Sequence, residues 1–324
     1  MNSESVAQQQ QQQLPKISVV IPVWNGAATL EKALTSILEQ QYANAELIIL
    51  DAGSTDGTLD IIKRYQAHIA YWHSQRDGSA YAAINIGIEK ATGVLIAQLM
   101  ADDWFEPAAF HAVAKTFQAN PSVDIVSCGG RIVTKISHSH GETIKALQTY
   151  TTAEALHLTV YNVCYGVPAM SSRFIAKAFF NKIGVITPFD ATGKHLFSGD
   201  REFLLRAIMH GCKQAVTTHL SHTYVAHPGS ATFGNNRANQ IKIYREHMMI
   251  VERYLSHPQL STTDRAILQR WYADQSIRLF LYTLVSGNLK AAWLAARAGI
   301  SKLKFNWFIV LVNEVSKLAI KKIA

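Results

Sequence analysis

Two adjacent carboxylates, Asp102 and Asp103, close the apolar run Gly93-Val94-Leu95-Ile96-Ala97-Gln98-Leu99-Met100-Ala101. Carboxylates this close repel each other unless a cation or a set of donors holds them. A divalent ion carrying a diphosphate meets that need, because hard cations take oxygens from one or two carboxylates and from phosphates. A solvated pair in an ordinary strand-to-loop turn meets it as well. Two more acids follow β-branched runs: Asp51 ends Glu46-Leu47-Ile48-Ile49-Leu50, and Asp77 lies a little beyond residues 69–73. Each alone reads as a capping or solvated residue, but three acidic strand ends converging on one sheet edge point to a ligand. Asp200 opens Asp200-Arg201-Glu202-Phe203-Leu204-Leu205-Arg206, where an acid is an ordinary helix N-cap that favours the dipole. The chain has 13 histidines. None shows metal-ligand spacing such as HExxH; His227, beside Pro228 in a polar stretch, reads as an exposed loop residue.

The elements that must position these residues alternate. Residues 16–23 form a buried strand stopped by Pro22, and Trp24-Asn25-Gly26 is turn material. Residues 28–40 carry helical periodicity, with Leu30, Ala33, Leu34, Ile37 and Leu38 on one side. Strand 46–50, helix 59–65, strand 69–73, helix 81–91 and the strand before Asp102 follow. Strands alternating with helices imply βαβ units and a parallel sheet, whose ligands sit at the carboxyl ends of the strands. No GxGxxG follows the first strand and no GxxxxGK[ST] occurs, so neither the dinucleotide nor the P-loop class is supported.

Four segments together resemble the family 2 glycosyltransferases of the GT-A fold, in the members that build bacterial polysaccharides. They are Val19–Gly26, Asp51-Ala52-Gly53-Ser54-Thr55-Asp56-Gly57-Thr58, residues 74–87 and Gly93–Asp103. The resemblance covers roughly residues 16 to 235, and departs from the family pattern at Ala52, where a second acid is common. It implies an α/β GT-A domain over 14–238 and, in that domain, a role for each acid. Asp51 would accept a hydrogen bond from the base of a nucleotide diphosphate sugar, in a pocket lined by Pro22 and Trp24. Asp77 would help place the nucleotide; Arg76 is either a phosphate contact or a surface cation. Asp102 would meet the ribose or the ion's water shell. Asp103 would coordinate Mg²⁺ or Mn²⁺, with His227 able to join it. Asp200, with Glu202 as the alternative, would be the general base that takes the acceptor hydroxyl's proton.

In the second half, residues 107–117 read as a helix with Pro107 in its first turn, and residues 124–127 as a strand. Residues 135–165 are irregular, with a helix at 152–159. Residues 166–173 resemble the strand before the family's acceptor site, and residues 224–232 the loop after its last strand. From 239 the pattern is helical: 241–255, 264–285 and 289–298. Residues 303–322 put Trp307 and Phe308 on an apolar face bounded by lysines. Between Gly287 and Ala324 seven basic residues stand against one acid, Glu314, and the whole chain carries +8. That balance suits an anionic membrane surface; a helix packed on the protein with lysines in water is the alternative. Nucleic acid is not supported, because no recognised motif accompanies the charge.

Of 324 residues, 48% are hydrophobic and 17% charged. Residues 1–13, with their glutamine tract, read as a disordered tail. No signal peptide and no spanning helix are expected. Cys128, Cys164 and Cys212 lack CxxC spacing and read as free thiols of a reducing cytosol. The expectation is an inverting glycosyltransferase, cytoplasmic and peripheral on the cell membrane. It would move a sugar from a nucleotide diphosphate donor, a UDP-sugar first, to a glycan or lipid-linked acceptor. The rivals are a sugar nucleotidyltransferase, which needs a basic phosphate loop that residues 24–28 lack, and a non-catalytic nucleotide- or glycan-binding protein.

Overall fold

The computed structural model describes residues 14–138, 141–166, 170–230, 236–304 and 307–312. The expected tail at 1–13 and most of the expected segment 303–322 therefore lie outside the described residues. In chain order the first elements are β1 (Ile17–Val23), α1 (Leu30–Leu38), β2 (Ala45–Asp51), α2 (Thr58–Arg64), β3 (Tyr71–Ser74), α3 (Ala80–Lys90) and β4 (Leu95–Gln98). Next come β5 (Trp104–Phe105), α4 (Ala109–Ala119), β6 (Ile125–His138), β7 (Gly141–Tyr150), α5 (Ala153–Leu156) and α6 (Val160–Tyr165). The last are β8 (Arg173–Ala176), α7 (Lys177–Ile183), α8 (Gly199–Met209), β9 (Gln214–Ala226), α9 (Arg237–Tyr254), α10 (Thr262–Val285) and α11 (Leu289–Leu303).

The strands make one sheet in the order β3-β2-β1-β4-β8-β6-β9-β5, with β7 added to β6. β3, β2, β1 and β4 are mutually parallel. β8 runs antiparallel between β4 and β6, and β9 is parallel to β6. β1 is buried along its whole length, as a strand covered on both faces must be. Its inner side chains join Leu30, Ala33, Leu34 and Ile37 of α1 and Phe110 and Val113 of α4 in the main core. β2 lies on one side of β1 and β4 on the other, so the strand order reverses direction between β1 and β4. The carboxyl ends of that pair open a crevice, the position where open α/β sheets bind ligands. Gly87 lets α3 press onto this corner: a Cβ there would collide with Val20 of β1 and with Leu50 of β2.

Five sequence readings change. Residues 135–150 are not irregular; β6 and β7 form a long antiparallel hairpin. Residues 142–149 are exposed, so their side chains never needed the apolar pattern that marks a buried strand. Of the expected helix 152–159 only Ala153–Leu156 is helical, and a second short helix follows at Val160–Tyr165; each is begun by a threonine, with Thr152 accepting from Ala155 N–H at 3.3 Å and Thr159 from Asn162 N–H at 3.1 Å. Pro107 stands outside α4. Phe105 is paired with His222 of β9, and Ala108 turns through a left-handed φ of 59° before the helix begins. Residues 170–172 form a 3₁₀ turn, so the strand expected over 166–173 starts only at Arg173; residues 167–169 lie outside the described residues. β9 runs through Ala226, so Tyr224–Ala226, expected in a loop, are strand, and residues 231–232 are not described.

Contacts divide the chain into two units. One holds the sheet, with the chain to Leu158 and from after Gly166 to His227; the other holds Thr159–Gly166 and the chain from Pro228. The division falls at 227/228, against the expected 238/239, and gives α6 to the helical unit. Within that unit α10 packs against both α9 and α11, and Tyr165 of α6 donates to Asp274 of α10 at 2.7 Å. Trp307 is buried there. Its Nε1–H donates to Ser276 at 2.9 Å, and it lies where a Cβ on Gly299 would stand. Trp307 is thus a core residue, not part of the outward apolar face expected of residues 303–322.

Candidate active site

At the crevice lies an open cleft of about 430 Å³, lined by Pro22–Gly26 after β1, Leu50 and Ala52 of the β2 end, Ser79 and Ala80 opening α3, Met100–Asp102 after β4, and His227 after β9. Its walls are tied by the loops themselves. Asn25 N–H donates to Ser54 Oγ at 2.7 Å, and Thr55 N–H returns to Asn25 Oδ1 at 2.9 Å. Gly26 N–H donates to Thr58 Oγ1 at 2.9 Å.

Asp51 organises this stitching and is not exposed at all. Its Oδ2 accepts from Gly53 N–H at 3.1 Å, Ser54 N–H at 3.0 Å and Ser74 Oγ at 2.6 Å, while Oδ1 accepts from the Ser54 hydroxyl. With both oxygens committed, Asp51 is not available to a nucleobase, and the expectation that it reads the base does not fit. Its neighbour Ala52 lines the cleft instead. Pro22 lines the cleft, and Trp24 stands on its lip, 68% exposed. Arg76 is exposed and, like Asp77, is absent from the cleft lining. The Asp77 side chain is buried: Oδ2 lies 3.2 Å from His73 Nε2, and Oδ1 has no hydrogen-bond partner among the described residues.

Asp102 and Asp103 part company. The Asp102 carboxylate, a third exposed, lies in the cleft with Oδ2 2.8 Å from His227 Nε2. Asp103 turns inward and is 1% exposed. Its Oδ1 accepts from Val225 N–H at 2.9 Å, and its Oδ2 lies 3.3 Å from the buried His222 Nε2, at ion-pair distance but poorly aligned for a hydrogen bond. Burial pushes the Asp103 carboxyl above its ordinary range, against the lowering effect of His222. The split expected from sequence put Asp103 on the ion and Asp102 beside it; in the structure it is Asp102 that faces the cleft and Asp103 that is buried away from it. Among the described residues no three His, Cys, Asp or Glu side chains gather around one point. Asp102 and His227 can supply two ligands, and that count fits Mg²⁺ or Mn²⁺ completed by substrate phosphate oxygens and water.

Asp200 sits in the first turn of α8, whose N-cap is Ser198. It is half-buried, and its Oδ1 accepts from Arg201 N–H at 2.7 Å. Burial raises its carboxyl above the ordinary aspartate range, opposed by the Arg201 charge and by a hydrogen bond from Tyr81. The Tyr81 hydroxyl also lies 3.1 Å from the Phe197 carbonyl, so its single proton is shared between two acceptors. Tyr81 is in the first turn of α3, next to the cleft residues Ser79 and Ala80, and so links Asp200 to the cleft wall. Glu202 is otherwise engaged. It is 3% exposed, 3.0 Å from Arg206 Nη2, and accepts from Thr187 Oγ1 at 3.1 Å.

His222, Tyr81 and Ala52 were not found in the sequence. Only the departure at Ala52 left a sign, and its meaning depended on knowing which of residues 51 and 52 faces the cleft.

Comparison with known proteins agrees with this architecture. The chain is 30% identical over 190 residues to an uncharacterized glycosyltransferase of Rickettsia typhi, and the match spans 58% of each chain. It is 34% identical over 119 residues to the putative glycosyltransferase EpsE of Bacillus subtilis, covering 36% of this chain and 43% of that one. These matches thus span little more than half the length of the Rickettsia typhi relative and less than half that of EpsE. Among solved structures, S. aureus TarS 1-349 in complex with UDP-GlcNAc matches 91% of this chain and 84% of its own, with a TM-score of 0.63 at 15% identity. The mannosyltransferase PcManGT of Pyrobaculum calidifontis, in complex with GDP-Man and Mn²⁺, matches 93% of this chain and 84% of its own, with a TM-score of 0.56 at 18% identity. The profile of Glycosyl transferase family 2 matches residues 18–180, half of the chain. A GT-A sheet, a cleft at its switch point and a profile match of this length together place the chain in glycosyl transferase family 2.

Proposed function

We propose that the chain transfers a glycosyl group from a nucleoside diphosphate sugar, a UDP-sugar first, to a hydroxyl of a glycan or lipid-linked acceptor, with inversion at the anomeric carbon. The observation that carries this reading is the Asp102–His227 pair, open to the cleft at the β1/β4 switch point. The relatives' names and the donors bound by TarS and PcManGT support it. A divalent ion held by Asp102 and His227 would neutralise the charge that develops on the leaving diphosphate.

The protein's own groups supply the rest. Pro22, Asn25 and Ala52 shape the end of the cleft, with Trp24 at its lip. Asp200 takes the proton of the attacking hydroxyl as its oxygen bonds to the anomeric carbon and the bond to the diphosphate breaks. A carboxyl raised by burial is a better base than an exposed aspartate, because its affinity for the proton is closer to what the transfer needs. Holding base and acceptor together lowers the barrier further. The enzyme works at the cytoplasmic face of an anionic membrane, a reading supported by the basic surplus toward the end of the chain.

The test is turnover of a nucleotide-sugar panel with and without Mn²⁺. Asp200→Asn is expected to lower turnover by about 10²–10⁴-fold while donor binding persists. Turnover at the wild-type rate in that variant would remove Asp200 as the base.

A further inference from the structure

The helical unit carries an apolar surface that its own packing does not use. α10 and α11 form a hairpin whose inner face is closed: Ala292 and Ala295 are buried, and Gly299 sits against Ser276. The connecting turn satisfies its own backbone. Asn288 N–H donates to the Thr283 carbonyl at 3.0 Å, and the Asn288 side chain caps Ala291 N–H at 3.0 Å. Yet the tip exposes five large apolar side chains within eleven residues: Leu284 at 41%, Val285 at 70%, Leu289 at 68%, Trp293 at 57% and Leu294 at 50%. On α11, Leu289, Trp293 and Arg297 follow one another at four-residue spacing along one stripe.

The charge around this tip has one sign. From Gln275 to Lys304 the chain has five cations, Arg278, Lys290, Arg297, Lys302 and Lys304, and no acidic residue. The Arg297 guanidinium lies 5.3 Å over the Trp293 ring, so cation and aromatic are presented together. Aliphatic side chains at a turn, a tryptophan behind them and cations behind that match the layers of an anionic bilayer from acyl chains out to headgroups. A second copy of the chain fits poorly, because a two-fold contact would set this surface against itself and bring like charges together.

We propose that the α10–α11 tip, Leu284–Leu294 with Arg297, is the surface by which the chain binds an anionic membrane. This rests on the reading of the chain as a membrane-surface enzyme and names the part that makes the contact. It also moves that contact away from Trp307, which is buried.

The experiment is co-sedimentation of the full chain with vesicles of phosphatidylcholine alone and with about 30% phosphatidylglycerol, where anionic headgroups attract nearby cations. Binding is expected only to the anionic vesicles, weakened at least tenfold by high salt. The variant Leu289→Ser/Trp293→Ser should lose it, and Lys290→Gln/Arg297→Gln should weaken it, with circular dichroism unchanged. Equal binding by the Leu289/Trp293 variant, or equal binding to both vesicle types, overturns the proposal. So does a dimer that this variant splits while the wild type ignores vesicles. Thermal shift with UDP, read on the same proteins, separates the two readings. Vesicle binding without any nucleotide shift would sink the catalytic reading and leave this one standing; nucleotide binding without vesicle binding would do the reverse.

Discussion

Asp102 and Asp103 sit one bond apart in sequence and do opposite work. Asp102 pairs with His227 at the surface, and Asp103 pairs with His222 beneath it, so two Asp–His pairs lie back to back where the β4 turn meets β9. Substitutions should separate them. Asp102→Ala should leave the melting temperature near wild type and remove ion-dependent turnover. Asp103→Ala leaves the Val225 N–H and His222 without their partner in the interior, and should cost roughly 2–4 kcal/mol of stability. Calorimetry with activity assays distinguishes them; a stable but inactive Asp103→Ala would contradict the assignment. Asp200 gives a second contrast. Its folded carboxyl is raised above the unfolded value, so protonation favours the fold, and that stability is lost as pH rises through the folded pKa. At neutral pH Asp200→Asn should therefore raise the melting temperature slightly while turnover falls. Wild-type turnover should decline on the acid side at a pH above the ordinary aspartate range. Which residue types matter here was legible in the sequence. Which way Asp51, Asp102 and Asp103 point was not, because neighbours only one residue apart separate by side-chain direction, and that is set by β9 and by the loop hydrogen bonds.

Elements buried on both faces announced themselves. β1, β2 and β4 are short apolar runs because the helices cover both sides, and their order yielded the parallel half of the sheet. The β6–β7 hairpin was missed because β7 has water on both faces and carries Thr143, Lys145, Gln148 and Thr149 instead of an apolar stripe. Polar clips between strands were missed as well. Glu46 at the start of β2 accepts from Ser18 of β1 and from the Thr92 N–H (2.7 Å) and hydroxyl (2.6 Å), and lies 3.0 Å from Lys16 Nζ. Burial alone would raise its carboxyl, but these donors outweigh it and hold it at about 2. A depressed carboxyl stabilises the fold above its unfolded value and loses that stability as pH falls toward 2. Glu46→Gln should thus lower unfolding free energy by roughly 2–3 kcal/mol at pH 7 and flatten the acid limb of the stability curve. An unchanged acid limb in denaturant titrations would contradict this.

At the scale of the molecule, the sheet unit and the helical unit carry separate tasks. The sheet unit holds the cleft and every acid considered for chemistry, and the helical unit holds the basic, apolar hairpin tip. Trp307→Ala should open a cavity in the helical core and cost about 3–5 kcal/mol there, while donor affinity stays unchanged. A parallel loss of nucleotide binding would show that the tasks are not separate. The surplus of cations late in the chain was legible from composition; that Trp307 packs inward while Trp293 faces out depends on Gly299 admitting the indole.

The central claim is that Asp102 and His227, not Asp103, hold the ion on which a nucleoside diphosphate rests. The most direct measurement is UDP affinity by titration calorimetry, with Mn²⁺ and with EDTA, for wild type, Asp102→Ala, His227→Ala and Asp103→Asn. The account predicts at least tenfold tighter binding with Mn²⁺, abolished in the first two variants and retained in the third. UDP binding that ignores EDTA, or an ion dependence that survives Asp102→Ala and disappears only in Asp103→Asn, would contradict it.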